Sequence, residues 1–176
     1  MTPILLALAI IGLLIIVIAL AGQPDEFKVS RSAKISAPPA KVFPHVNELR
    51  KWEAWSPWAK LDPNAKTTFE GPAPGAGSAM AWDGNNKIGS GKMTIADSQP
   101  DETIRFRLDF QRPMKATNTA EFTFRRDGGQ TIVTWSMYGK NSFGGKVFGL
   151  FMNCEKMCGG QFEKGLASLT AVAEAK

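Results

Sequence analysis

The sequence predicts an α+β protein: an N-terminal apolar helix, then an antiparallel sheet of about seven strands covered by one long C-terminal helix. Three observations predict it. All 21 Lys and Arg and all 16 Asp and Glu lie from Asp25 onward, so the first 24 residues are uncharged. Runs alternating apolar with polar residues then follow, separated by turn residues. Finally, apolar residues recur at spacings of three and four from Phe143 to Ala173.

Ile4 to Ala21 is an unbroken run of 18 apolar or small residues. At about 1.5 Å per residue it spans about 27 Å, close to the roughly 30 Å hydrocarbon core of a bilayer. Residues 1–24 are therefore expected to form a single-pass membrane anchor. A cleaved signal peptide is the rival, because Ala19-Leu20-Ala21 has the form of a cleavage box, but no Lys or Arg precedes the apolar stretch. Lys28, Arg31, Lys34 and Lys41 follow it, which places residues 25–176 on the cytoplasmic side.

Those residues have the size of one domain and exclude two large ones. Five Trp, eleven Phe and one Tyr argue against disorder, and the net charge of +5 is no nucleic-acid tail. Phe27 to Ile35 alternates as a first strand. Ser36-Ala37-Pro38-Pro39 opens a short helix, with Ser36 as cap, and Val42, Phe43 and Val46 lie on its apolar face. Pro44 keeps that helix short or kinks it. Trp52, Trp55 and Trp58 recur at a spacing of three, on one side of a helical turn.

Gly71 to Gly77 is loop by composition. Strands are expected at 78–83, 88–97, 102–112, 115–125 and 130–139. Ile104, Phe106, Leu108 and Phe110 alternate with Thr103, Arg105, Arg107 and Asp109. Ala120, Phe122 and Phe124 point inward, as do Val133, Trp135 and Met137. In the C-terminal helix, Gly159-Gly160 marks a bend or the close approach of another element or ligand.

Catalytic signals are thin. His45 is the only histidine and reads as a rim residue. Cys154 and Cys158 at i, i+4 fall short of a four-ligand metal site and read as reduced core thiols. The glycines around Lys146 fail the phosphate-loop pattern, since Val147 replaces the hydroxyl residue, and Gly84, Gly89 and Gly91 do not form a dinucleotide fingerprint. Arg105, Arg107, Arg112, Arg125 and Arg126 alternate with inward aromatics, as on a solvated sheet face, so no nucleic-acid partner is expected.

The opening Phe27-Lys28-Val29-Ser30-Arg31-Ser32-Ala33-Lys34-Ile35-Ser36-Ala37-Pro38-Pro39, with Val42-Phe43, resembles the start of the START-related helix-grip superfamily, more closely its polyketide cyclase and dehydrase-like (SRPBCC) group. Trp52-x-x-Trp55-Ser56-Pro57-Trp58, Ala81-Trp82-x-Gly84-Asn85, Asn118-Thr119-Ala120-Glu121-Phe122, Val133-Thr134-Trp135 and the terminal helix continue the likeness over residues 27–173. The resemblance implies a curved sheet gripping the C-terminal helix around an apolar cavity for a lipid, isoprenoid or polyketide-like molecule. The residues expected at that cavity are Trp82, Phe106, Phe110, Asn118, Phe122, Trp135, Cys154, Met157 and Cys158, with Trp52, Trp55 and Trp58 as a lid. No catalytic residue, cofactor or metal is assigned. Two alternatives remain: a cyclase or dehydratase in which Asn118, Tyr138 or His45 polarises the substrate, and a stress-related co-chaperone or adaptor offering Arg105, Arg107 and Arg125 to an acidic protein partner.

Overall fold

A computed structural model of the chain describes residues 3–141, 146–147 and 154–175. The apolar run folds as helix α1 (Pro3–Ala21), and none of its described side chains is buried against the rest of the chain. After it come β1 (Glu26–Ile35), α2 (Pro39–Asn47), a 3₁₀ turn (Leu49–Lys51), α3 (Trp52–Trp55), β2 (Lys66–Glu70), β3 (Ala79–Asp83), β4 (Ser90–Gln99), β5 (Thr103–Arg112), β6 (Ala116–Asp127), β7 (Gln130–Lys140) and α4 (Cys154–Glu174). The stretches 142–145 and 148–153 of the predicted C-terminal helix lie outside the described residues.

The seven strands form one antiparallel sheet in the order β1-β7-β6-β5-β4-β3-β2. Hairpins join each strand to the next from β2 to β7, as expected where short polar turns separate alternating runs. The first strand returns to pair with the last, from Glu26 opposite Lys140 to Ile35 opposite Thr131. β2 escaped the sequence reading. Its Lys-Thr-Thr-Phe-Glu contains one large apolar residue, the half-buried Phe69, which is too little alternation to announce a strand.

The start of α2 also differs from expectation. Ser36 does not cap it; the helix begins at Pro39, behind Pro38, and no side chain caps it. Proline at the first helical position needs no amide partner. The backbone N–H of Ser36 instead donates to Glu174 Oε1 at 2.6 Å. Lys41 Nζ donates to the Ala175 carbonyl. Both bonds hold the C-terminal end of α4 beside the end of β1, so α4 begins near the start of β1.

α4 lies on the inner face of the sheet with Phe162, Leu166, Leu169 and Ala173 buried. Trp135 on β7 is stacked between Phe122 of β6 at 4.7 Å and Phe162 of α4 at 4.3 Å. Trp52, Trp55 and Trp58 meet the Trp135 ring edge-on, 5.3 to 6.0 Å away. Edge-to-face and offset-stacked rings are the favoured aromatic geometries, and each fully buried large side chain stabilises the fold by about 1.5–3 kcal/mol.

Candidate functional site

The inner face of the grip divides into a closed middle and a half-buried end. Phe106 and Phe122 are 0% exposed, so no void large enough for a water molecule borders either ring. Trp135 is nearly as enclosed. The structure therefore places these three predicted cavity residues in packed core. Trp52 and Trp55 share that core. Their indole N–H groups donate to the carbonyls of Val46 at 2.8 Å and His45 at 2.9 Å, which satisfies both interior rings. Trp58 is half-buried beside them and packs on Trp135 and Phe162.

The half-buried end is built where β1 and β6 start and β3, β5 and β7 finish. Trp82 of β3 lies across β4 to reach Phe110 of β5, with ring centroids 5.8 Å apart. Gly91 permits this: it pairs with both Trp82 and Phe110, and a Cβ there would stand 2.7 Å from the indole ring. The Trp82 N–H donates to the Ile88 carbonyl at 3.1 Å, which fixes the indole plane. Across the sheet, Asn118 of β6 lies over Gly139 of β7. A methyl on Gly139 would collide with the Asn118 amide and come within 3.3 Å of the Phe27 ring. Phe27, Trp82, Phe110, Asn118, Met137 and Cys158 are all half-buried. They make an aromatic row interrupted by two glycines, with the Asn118 amide as a neutral polar group.

Of the remaining predicted residues, Met157 is 46% exposed. It precedes Cys158 by one position, about 100° around the helix, and so leaves the stripe that faces the sheet. Cys154 opens α4, and its side chain lies outside what is described. Sequence reasoning missed Phe27, Met137, Gly91 and Gly139 at this end. The first two carried an available signal, since they share inward strand parity with residues already singled out.

The three groups of the cyclase alternative do not converge. Tyr138 sits on the outer face, in a groove of about 440 Å³ lined also by Glu26, Phe27, Lys28, Glu121, Gly139 and Lys140. There Glu121, with a smaller contribution from Tyr138, raises the pKa of Arg105. His45 belongs to α2, whose neighbour Phe43 packs on Phe124, six residues along β6 from Asn118. That is about 20 Å at a strand's rise. Burial, with Lys51 and Lys41, holds the His45 imidazole below its ordinary pKa. Of the adaptor arginines, Arg105 pairs with Glu121 at 3.0 Å and Arg107 with Asp109 at 2.9 Å.

Among solved structures, the chain is similar to protein CV1439 from Chromobacterium violaceum, with 14% identity over 88% of this chain and 100% of that one and a TM-score of 0.61. The Aha1 dimer from Colwellia psychrerythraea gives 16% identity, 84% and 96% coverage and a TM-score of 0.60. The di-domain ARO/CYC BexL from the BE-7585A biosynthetic pathway gives 15% identity over 91% of this chain and 54% of that one, with a TM-score of 0.62. At these identities the likeness shows the helix-grip fold. No curated protein matches the sequence. The family model for polyketide cyclase / dehydrase and lipid transport proteins matches residues 26–174, and the chain belongs to that family.

Proposed function

We propose that the protein is a membrane-anchored domain that binds a hydrophobic small molecule, a lipid, isoprenoid or polyketide-like compound, at the half-buried end of its grip. One observation carries the reading: the inner face is sealed in its middle yet leaves Phe27, Trp82, Phe110 and Met137 incompletely covered around the single amide of Asn118. Ligand sites are mainly apolar with a few placed polar groups, and this end has that composition. A fold of this kind hosts many functions, and the chemistry of this end is what favours an apolar ligand.

The anchor reading is supported by α1 itself. Its 19 residues span about 28 Å, and its described Ile and Leu side chains from Ile4 to Ile18 stand at 50% exposure or more, with Ile4 at 71% and Ile18 at 69%. An apolar surface of that size is stable in a bilayer and not in water. The basic residues after α1 support a cytoplasmic orientation of the domain.

Native mass spectrometry of the full chain, released gently from detergent, tests the binding reading. The expected spectrum contains an adduct of defined mass that co-purifies with the protein and disappears on unfolding. A spectrum of bare chain only, before and after incubation with a lipid extract, would overturn it.

A further inference from the structure

We propose that the half-buried end of the grip rests on the surface of the membrane that α1 crosses, and that the β5–β6 hairpin tip around Met114 and Lys115 docks on anionic lipid headgroups there. The proposal rests on reading α1 as a membrane span.

The tether is the first argument. α1 ends at Ala21, and the N–H groups of Gly22 and Gln23 still donate back to Ile18 and Leu20. The next two residues tie the chain to the domain. The Pro24 carbonyl accepts from Asn141 Nδ2 at 3.0 Å, the Asp25 carbonyl accepts from the Asn141 N–H at 2.7 Å, and the Asp25 carboxylate holds Lys146 Nζ at 2.6 Å. Between the last bond of the helix and the first of the domain there is little chain, about 7 Å at full extension. The start of β1 is thereby held at the membrane surface.

The sheet register then decides what else lies there. Glu26 pairs with Lys140, Phe110 with Ala116, Arg112 with Ser90, and Ser90 with Asp83. The β5–β6 hairpin therefore turns at the same end of the sheet as the start of β1. So does the start of α4, because its C-terminal end is bonded beside Ser36.

Two properties of that end suit a lipid surface. Outside α1, the described residues include two large apolar side chains that are exposed: Met114 at 41%, at the hairpin tip, and Met157 at 46%, in the first turn of α4. Both are at this end. Exposed Lys28, Lys87, Lys115 and Lys140 lie at the same end, against the exposed carboxylate of Glu26, while Asp25 and Asp83 are engaged by Lys146 and Arg112. Lysines held within a Debye length of an anionic leaflet are attracted to it, and an apolar tip between them enters the headgroup layer. The aromatic row of the candidate site would then open onto the leaflet, and a lipid could enter it without crossing water.

A photocrosslinking residue at position 114 of the full chain, reconstituted in vesicles of phosphatidylcholine with 30% phosphatidylglycerol, tests this. Position 129, in the β6–β7 turn at the opposite end of the sheet, is the comparison. The expected result is lipid adducts at 114 at least tenfold more frequent than at 129, falling severalfold in pure phosphatidylcholine or in Lys115→Glu, Lys140→Glu. Equal labelling at the two positions would overturn the docking, provided the protein stays in the vesicles through alkaline carbonate. Release by carbonate would overturn the anchor reading and this proposal with it.

Discussion

The guanidinium of Arg31 on β1 lies directly against the backbone of Gly159 on α4, where any larger residue would strike it. It is held there by Glu163 at 2.6 Å and Glu155 at 2.7 Å, one turn on either side of the glycine. The double glycine thus marks the approach of another element, and that element is a strand. The two glycines are not equivalent, because a methyl on Gly160 would meet nothing within 4 Å. Gly160→Ala should stabilise the protein by about 0.5–1 kcal/mol through helix propensity, or a rise of about 1–4 °C in melting temperature. Gly159→Ala should raise it less, because its methyl displaces Arg31 from both carboxylates. In an Arg31→Ala background the two substitutions should become equal. Equal shifts in the unaltered background would show that the clamp has no hold on α4.

Removing residues 1–24 should leave a soluble, cooperatively melting domain, since Asp25 onward contains every strand and the whole buried core. Size-exclusion chromatography and a thermal melt check this. An aggregated product, or one without a sharp transition, would mean that α1 belongs to the core.

The two parts of the inner face should separate under mutation. Phe122→Ala, in the closed middle, should cost about 3–5 kcal/mol in denaturant unfolding. Phe110→Ala, at the half-buried end, should cost clearly less while weakening uptake of a hydrophobic probe. Similar costs at both positions would contradict a division of the face into a closed middle and a half-buried end.

Much of the architecture was legible because alternation and turn chemistry were written plainly into residues 102–139, where Ile104, Phe106, Phe122 and Trp135 all point inward. β2 was not, for want of apolar residues. The site was legible only by parity. Strand alternation says which face Phe106 and Phe110 share, but not that Phe106 meets Trp52 at 5.5 Å and is sealed while Phe110 stays half-covered. That distinction depends on what packs from outside the strand, the helical turn carrying Trp52 and Trp55, which no local pattern encodes. The roles of Gly91 and Gly139 were hidden for the same reason, since each is defined by a side chain on another strand.

Stability should fall as pH drops below about 6.5. Burial first, then Lys51 and Lys41, hold the folded pKa of His45 below its ordinary value of 6.5. The unfolded chain therefore binds the proton more readily, and acidification through that window favours unfolding. His45→Gln should flatten the dependence between pH 6.5 and the lower folded pKa. Denaturant midpoints measured across pH 5–7.5 check it, and an unchanged slope would assign the effect elsewhere.

The claim that the half-buried end is the binding site is tested most directly by the fluorescence of residues 25–176 titrated with a fatty acid brominated along its chain. Trp82 lies in the aromatic row, whereas Trp52, Trp55 and Trp135 lie in the closed core and the half-buried Trp58 packs on Trp135 and Phe162. The expected result is saturable quenching that is largely absent in Trp82→Phe. Quenching of the same depth in Trp82→Phe would place the bound chain elsewhere and contradict the claim.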